Sequence, residues 1–449
     1  MERESSVNKL YPFLSFVLLT VFIACSSPDV ADDESSPTST IPVVEDSAKQ
    51  SDGERSRKET DGSSGDRSGR YPEVKPANEF VPQKVIDRYP VWAENCTGSG
   101  PVMFTNSPMR IEDIKNLTPY GQVVGGHVTP IDHMYFEPKD RSLGRDVYEV
   151  RAIQDAIIFD LSSRDFNEAN EKKLREFRVD MAHTCNFSSY LDLLTSLTPE
   201  LEKEWAKSEG GRAGPWKGVS VKAGQLIGYI GAQTLDFGVY DYGIELPGFT
   251  NPSAYEKREP WKIHTVDPFQ YFPTEIREAL LKKMIRDAEP RAGKIDYDVD
   301  GTISGNWFQQ GTDWYNGIDQ RKYWDGHLSV APHEIDPTLW RIGVGSLDTE
   351  DNNFIIFGDQ TPLEVNVSSE PVTYELRRYY VNIPAKPDKK WWVDPYDEAD
   401  VYGVKILPEP VGYVLIELEE ERLLRAEVFL GKAKEEILGF TNDARLYER

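Results

Sequence analysis

Val221-Lys222-Ala223-Gly224-Gln225-Leu226-Ile227-Gly228-Tyr229-Ile230-Gly231, followed by Leu235-Asp236-Phe237-Gly238-Val239, decides how the first half of the chain is read. Gly224 supplies a turn, because glycine alone enters a left-handed backbone without a Cβ clash. Leu226, Ile227 and Ile230 give the strand after it an apolar side. Gly228 and Gly231 carry no Cβ, so another backbone can approach closely there. Leu235–Val239 is a second short strand with a carboxylate, Asp236, in an otherwise apolar run.

Working upstream, Arg178-Val179-Asp180-Met181-Ala182-His183 reads as a strand, and Ser189-Tyr190-Leu191-Asp192-Leu193 follows it. Earlier still stands Gly125-Gly126-His127-Val128-Thr129-Pro130-Ile131-Asp132-His133-Met134-Tyr135-Phe136. Taken in order, these four segments resemble the lysostaphin/LytM-type zinc endopeptidases. That family carries Gly-x-His-x-x-x-Asp-Phe, then Tyr-x-His-Leu, then a Lys-x-Gly-Gln-x-Ile-Gly-x-x-Gly run, then His-x-His-Phe-Glu-Val. Biotinyl/lipoyl-type β-rolls share the glycine-rich run, but their Met-Lys-Met carrier lysine is missing here.

The resemblance implies a β-sheet groove with Zn²⁺, where a metal-bound water attacks a peptide cross-link of peptidoglycan. Carried over by residue, His127 matches the first metal ligand. The second falls to Asp132 or His133, because the spacing is longer than the family's three intervening residues. Asp236 stands where the second His of His-x-His belongs. Thr234 takes the place of the first, catalytic one, and Asp192 that of the His in Tyr-x-His-Leu. Both imidazoles that would do the acid–base work are thus absent, and a carboxylate does not readily donate to an oxyanion near neutral pH. The expectation is a degenerate site that binds without cutting. A rearranged hydrolase using Asp192 and His183 is the alternative.

The start of the chain reads as an address. Arg3 and Lys9 precede the apolar run Phe13–Ala24, which ends at Cys25. This is the pattern of an export signal, and Phe22-Ile23-Ala24-Cys25 resembles a bacterial lipobox, implying lipidation of Cys25. Residues 1–25 are therefore expected to be a lipoprotein signal peptide. Residues 26–80, rich in Asp, Glu, Ser, Gly and Pro, are expected to be a disordered acidic tether. The expected localisation is the bacterial cell envelope, anchored to a membrane by the N-terminal lipid only. After export, Cys96 and Cys185 form one disulfide or stay as two free thiols.

Composition narrows the classes further. A net charge of -25 over 449 residues offers no basic footprint for nucleic acid. Three cysteines exclude a disulfide-dense scaffold and a four-cysteine zinc module. The length calls for two folded units. The first, about 91–272, is β-rich, with strands expected at Tyr148–Gln154, Ala156–Asp160, Arg178–His183 and Gln225–Ile230. Helices are expected at Phe187–Leu197 and, capped by Thr198, at Pro199–Lys207. A linking helix, Glu275–Asp287 after Thr274, occupies 274–292 and stops at Pro290.

The second unit, 293–449, reads as strands separated by turn signals, which points to a β-barrel or sandwich. The strands expected are Lys294–Val299, Gly301–Phe308, Leu339–Ser346, Phe354–Phe357, Val372–Val381, Tyr413–Leu418 and Leu423–Phe429, then a short helix at Lys432–Ile437. Gly305-Asn306-Trp307 looks like the opening Gly-x-Trp strand of lipocalin-type barrels, which implies an apolar ligand as a further alternative. His327 and His333 are read as loop histidines, and Trp391-Trp392 as an aromatic loop. Asp296, Asp298 and Asp300 alternate, but the bidentate Glu of an EF-hand loop is missing. The whole is expected to be mainly β with few short helices. Its expected partners are peptidoglycan or an envelope protein.

Overall fold

The computed structural model describes residues 83–167, 173–208, 216–347, 351–389 and 400–449. Cys25, the 26–80 segment and Trp391-Trp392 lie outside the described residues. The fold is mainly β, and its elements in chain order are as follows. Two short helices, α1 (Gln83–Arg88) and α2 (Pro90–Asn95), precede β1 (Ile114–Thr118), β2 (Met134–Pro138) and β3 (Tyr148–Arg151). Then come β4 (Ala156–Asn167), β5 (Lys173–Ala182), β6 (Phe187–Leu194) and β7 (Ser196–Leu197). Helix α3 (Pro199–Ser208) leads to β8 (Val219–Val221), β9 (Leu226–Ile230) and β10 (Leu235–Asp241), and α4 is Thr274–Leu281.

These strands make an antiparallel seven-stranded sheet in the order β1-β2-β10-β6-β5-β4-β8 and a small sheet β3-β9-β7. The glycines of the opening motif do what their missing Cβ allows. Gly224 has φ +75°, and a Cβ on Gly228 would lie 2.2 Å from the Ser196 carbonyl oxygen, so β9 can sit tight against β7. One side of the large sheet is apolar: Phe136, Val179, Met181, Leu191, Phe237 and Val239 pack there into the main core. Strand alternation sends the other side chains to the opposite face. There β4 contributes Ser162 and Arg164, β5 Arg178 and Asp180, β6 Tyr190 and Asp192, and β10 Asp236 and Tyr240.

The second half is a closed eight-stranded barrel. Its strands are β11 (Gly305–Gln309), β12 (His327–Pro332), β13 (Trp340–Val344), β14 (Asn353–Phe357), β15 (Val372–Asn382), β16 (Gly403–Glu420), β17 (Leu423–Leu430) and β18 (Arg445–Glu448). Closure comes from β11 against β18, with Phe308 opposite Glu448 and Gln309 opposite Tyr447. Eight strands leave an interior just wide enough for side chains to fill. Trp307, Leu328, Val330, Ile342, Tyr374, Leu376, Val414 and Leu424 pack together as its core. The Trp307 indole donates to the Ile303 carbonyl and lies under the Arg449 guanidinium, 4.1 Å away.

Several elements differ from the sequence reading. Phe187–Leu197 is not a helix but strands β6 and β7. The linking helix starts at Thr274 itself and ends at Leu281, because the chain then leaves to bond β1: Leu117 N–H donates to Lys283 and Ile285 N–H to Leu117. Lys294–Val299 is not a strand; Asp296 and Asp298 turn their carboxylates onto the backbone amides of Gly248, Thr250 and Asn306. The run at Lys432–Ile437 is only a 3₁₀ turn, Lys434–Glu436. Of the two histidines read as loop residues, His327 is the first residue of β12 and His333 lies in the loop just after it, and both are buried, 1 % and 0 % exposed. Helix α3 does start after Thr198, whose hydroxyl accepts from Leu201 N–H.

Candidate functional site

A small pocket of about 30 Å³ opens on the polar face of the large sheet, lined by His127, Asp132, His133, Arg178, Tyr190, Asp192, Arg258, Glu259 and Trp261. Three parts of the chain build it. Strands β5, β6 and β10 form the floor, and the segment before β2 brings His127, Asp132 and His133. The 3₁₀-rich stretch 252–264 forms the far wall with Arg258, Glu259 and Trp261.

The barrel holds one side of this wall in place. The loop carrying His127 is bonded to barrel residues at three points: Arg341 donates to the Gly121 carbonyl, Asn352 to Gly125 and Ser329 to Val128. Gly126 has the Trp324 ring within 3.2 Å of where its Cβ would be, so the loop lies flat on that indole.

His133 is the centre of the buried network. Its Nδ1 lies 3.4 Å from Asp132 Oδ1 and its Nε2 3.4 Å from Asp236 Oδ2. Burial alone would lower its pKa, but the carboxylates of Asp236 and Asp132 outweigh this and raise it. Burial pushes Asp236 up to about 7 against the pull of His133, with Asp192 adding to the rise. His127 meets His133 edge-on, ring centroids 5.7 Å apart. Desolvation, with His133 and Lys262 nearby, drives the His127 pKa down to about 3, so its ring is neutral.

Asp132 does not face Asp236. Its Oδ2 accepts from the Tyr240 hydroxyl at 3.0 Å, and its Oδ1 lies 4.0 Å from the Lys262 ammonium. Lys262 is 1 % exposed, 3.7 Å from Glu259 and 3.3 Å from the Tyr315 hydroxyl. Of the two candidates for second ligand, His133 turns a ring nitrogen toward Asp236, and Asp132 turns away to a lysine.

Asp192 is 1 % exposed and held by Arg164 through two hydrogen bonds of 3.1 and 2.7 Å. Arg164 also pairs with Glu176 at 3.3 Å, and Arg178 approaches Asp192 at 3.8 Å. The carboxylate at the expected catalytic position is therefore saturated by guanidinium groups. Thr234 has its hydroxyl on the Phe136 carbonyl. His183 is elsewhere. Its Nε2 meets Ser189 Oγ at 2.8 Å and its Nδ1 the Asp155 carbonyl at 3.1 Å. Ser189 and Asp192 project from opposite faces of β6, so Asp192 and His183 do not form a working pair. Burial pushes His183 down to about 4.

A zinc ion needs three or four His, Cys, Asp or Glu side chains around one point. His133 Nε2 and Asp236 Oδ1 are buried without a hydrogen-bond partner, as two ligand atoms would be. Yet among the described residues no three His, Cys, Asp or Glu side chains converge on a point that would hold a metal ion. With an ammonium beside Asp132 and a guanidinium clamping Asp192, the donor set does not fit a zinc site.

Cys96 and Cys185 form a disulfide, Cα atoms 4.9 Å apart. It fastens the α1–α2 segment to the turn before β6, where Trp92 stacks on Phe159 and donates to the Thr184 carbonyl. No helix among the described residues is long and apolar enough to cross a membrane.

The sequence reading missed Arg164, Lys262, Tyr240, Glu259 and Trp261. Arg164 carried a signal: Asp160, Ser162 and Arg164 alternate along β4, which marks a polar sheet face. Lys262 had none, because two of the three groups around its ammonium, Tyr315 and Asp132, lie 53 and 130 residues away. No protein-family model matches the chain, and no curated protein is significantly similar to it.

Proposed function

We propose that this chain is an exported, lipid-anchored protein of the bacterial cell envelope whose first β domain binds a wall peptide without hydrolysing it. The observation that carries the reading is the Arg164–Asp192 clamp. The position that an acid–base histidine would fill holds a buried carboxylate that accepts two hydrogen bonds from Arg164 and one from the Leu193 amide. A pocket remains, lined by the Trp261 and Tyr190 rings and by Arg178, whose guanidinium is paired with Asp180 at 2.8 and 2.9 Å. The Arg178 guanidinium lies 3.8 Å over the Tyr190 ring, which pre-orients it.

Co-sedimentation with purified peptidoglycan sacculi, in chelator, tests the reading. Saturable binding, competed by soluble stem peptide and weakened by Trp261→Ala, is expected. Failure to sediment would refute wall binding. Anchoring is tested separately: Cys25→Ala should move the protein from the membrane fraction to the soluble one. A wild type that is already soluble would refute the anchor.

A further inference from the structure

Resting on the wall-binding reading, we infer that the α1–α2 segment, residues 83–95, is a strap seated where the ligand goes, and that it lifts to let a wall peptide onto the sheet face. The pocket of about 30 Å³ has room for about one water. A peptide needs more of the sheet face than this pocket exposes.

That face continues past the pocket as a row of aromatic rings. Tyr190 on β6 stacks on Tyr240 on β10, with ring centroids 5.9 Å apart, and Tyr240 meets Trp261 at 6.5 Å. Phe159 on β4 and Tyr242, the residue after β10, extend the row. All five rings are at most 8 % exposed, and Val85 and Trp92 of the strap share one apolar cluster with them. Trp92 stacks on Phe159 at 4.7 Å and meets Tyr242 edge-on at 5.2 Å, and Tyr89 meets Phe159 edge-on at 4.9 Å. The Arg88 guanidinium lies 5.4 Å over the Trp261 ring and donates to the Arg258 carbonyl at 3.1 Å. Arg258 and Trp261 are wall residues of the pocket itself. Aromatic faces of this kind stack on rings and cations, and here the strap's own indole and guanidinium take those places.

The strap is weakly held for a covering element. Each of its helices has six residues, well under the roughly 12–15 at which an isolated helix is even marginal. Helix α2 has no side-chain N-cap. Besides the ring contacts, the Trp92 indole donates to the Thr184 carbonyl at 3.0 Å, and Cys96 is bonded to Cys185. The disulfide follows α2 directly, so the strap swings about Cys96 and stays tied for reclosing. Short elements of this kind open locally, well below the free energy of global unfolding. Only the open form takes ligand, so the apparent affinity scales with the fraction open.

Hydrogen exchange on the full chain without ligand, read by mass spectrometry, tests the opening. Co-sedimentation with peptidoglycan sacculi tests the occlusion. The amides of Tyr89, Trp92, Ala93 and Cys96 all bond to carbonyls inside the segment, so they report on its opening. In the wild type they should exchange at least about tenfold faster than the amides of β6 and β10. Trp92→Ala should speed them about tenfold more, leave β6 and β10 unchanged, and tighten sedimentation by a similar factor. Arg88→Met should shift both readouts in the same direction, and it serves alone if Trp92→Ala does not fold. Strap amides that exchange no faster than β6 overturn the inference. So does unchanged sedimentation in a variant whose strap amides have sped up, and wall binding then stands without a gate. Sedimentation of none of the proteins refutes the wall binding and the gate together, a pattern distinct from equal binding by all.

Discussion

Arg164 is the residue on which the site turns. It satisfies Asp192 with two hydrogen bonds and Glu176 with a third contact, all inside the sheet face. Removing one partner of a buried ion pair costs roughly 3–5 kcal/mol, because the other charge is left without compensation. Arg164→Met should lower stability by that amount in urea titration. Arg164→Met/Asp192→Leu should recover most of it, since an apolar pair of similar volume carries no desolvation cost. Equal losses in both would show that the clamp is not what holds the pair.

The histidines set an acid limit at the same scale. Burial lowers His127 and His327 to about 3 and His183 and His333 to about 4. In the unfolded chain each takes a proton near pH 6.5, so between about 6.5 and 4 the unfolded state holds more protons and stability falls as pH falls. Burial raises Asp236 to about 7 and Asp160 to about 6, and these work the other way in that window. Five imidazoles, His264 included, face three more strongly opposing groups, His133, Asp236 and Asp160, so acid destabilisation wins as pH starts to fall from 6.5, by about 1.4 kcal/mol per pH unit for each net proton, and the rises of Glu176, Asp267 and Asp298 oppose it further down. Urea midpoints at pH 6.5 and 4.5 check the sign; a midpoint that rises on acidification contradicts it.

At the scale of elements, the sequence was legible where the pattern was local and misleading where burial was two-sided. The turn at Gly224, the close approach at Gly228 and the start of α3 after Thr198 follow from residue chemistry alone. The strand β6 did not. Phe187, Tyr190, Leu191 and Leu194 have helical spacing, and seven of its eight residues are buried, so the period-two signal is hidden. Its polar residues Ser188 and Asp192 are covered by the cleft rather than by water. The closing strand β18 was missed although Asn442-Asp443 form a turn just before it, because its four residues mix charge and apolarity. Gly228→Ala tests the tight packing of β9 on β7: overpacking against backbone costs about 1–3 kcal/mol. Thermal unfolding should show a loss of that size at Gly228 and none of note for Lys222→Ala, whose side chain is exposed.

For the whole molecule, the two halves are joined through the very loop that carries His127. Arg341 reaches Gly121, Ser329 reaches Val128, Asn352 reaches Gly125, and Arg286 donates to the Glu334 carbonyl. The length called for two units and the turn signals of 293–449 for a barrel or sandwich, but nothing in the sequence tied the barrel to the cleft. Those contacts couple residues up to 227 positions apart. Barrel and sheet should therefore unfold in one transition, and Arg341→Met should lower the common midpoint in calorimetry. Two separate transitions would contradict the coupling. The disulfide closes a separation of 89 residues, and Cys96→Ser/Cys185→Ser should cost about 2–5 kcal/mol by loss of that restraint.

In the function proposed above, the cleft of the first domain binds wall peptide and does not cut it. Digestion of purified cross-linked muropeptides by the full chain, with zinc supplied and with chelator, followed by chromatography, tests it most directly. Identical chromatograms are expected in both conditions and in a no-protein control. Cross-link cleavage that chelator abolishes and His127→Ala eliminates would contradict it.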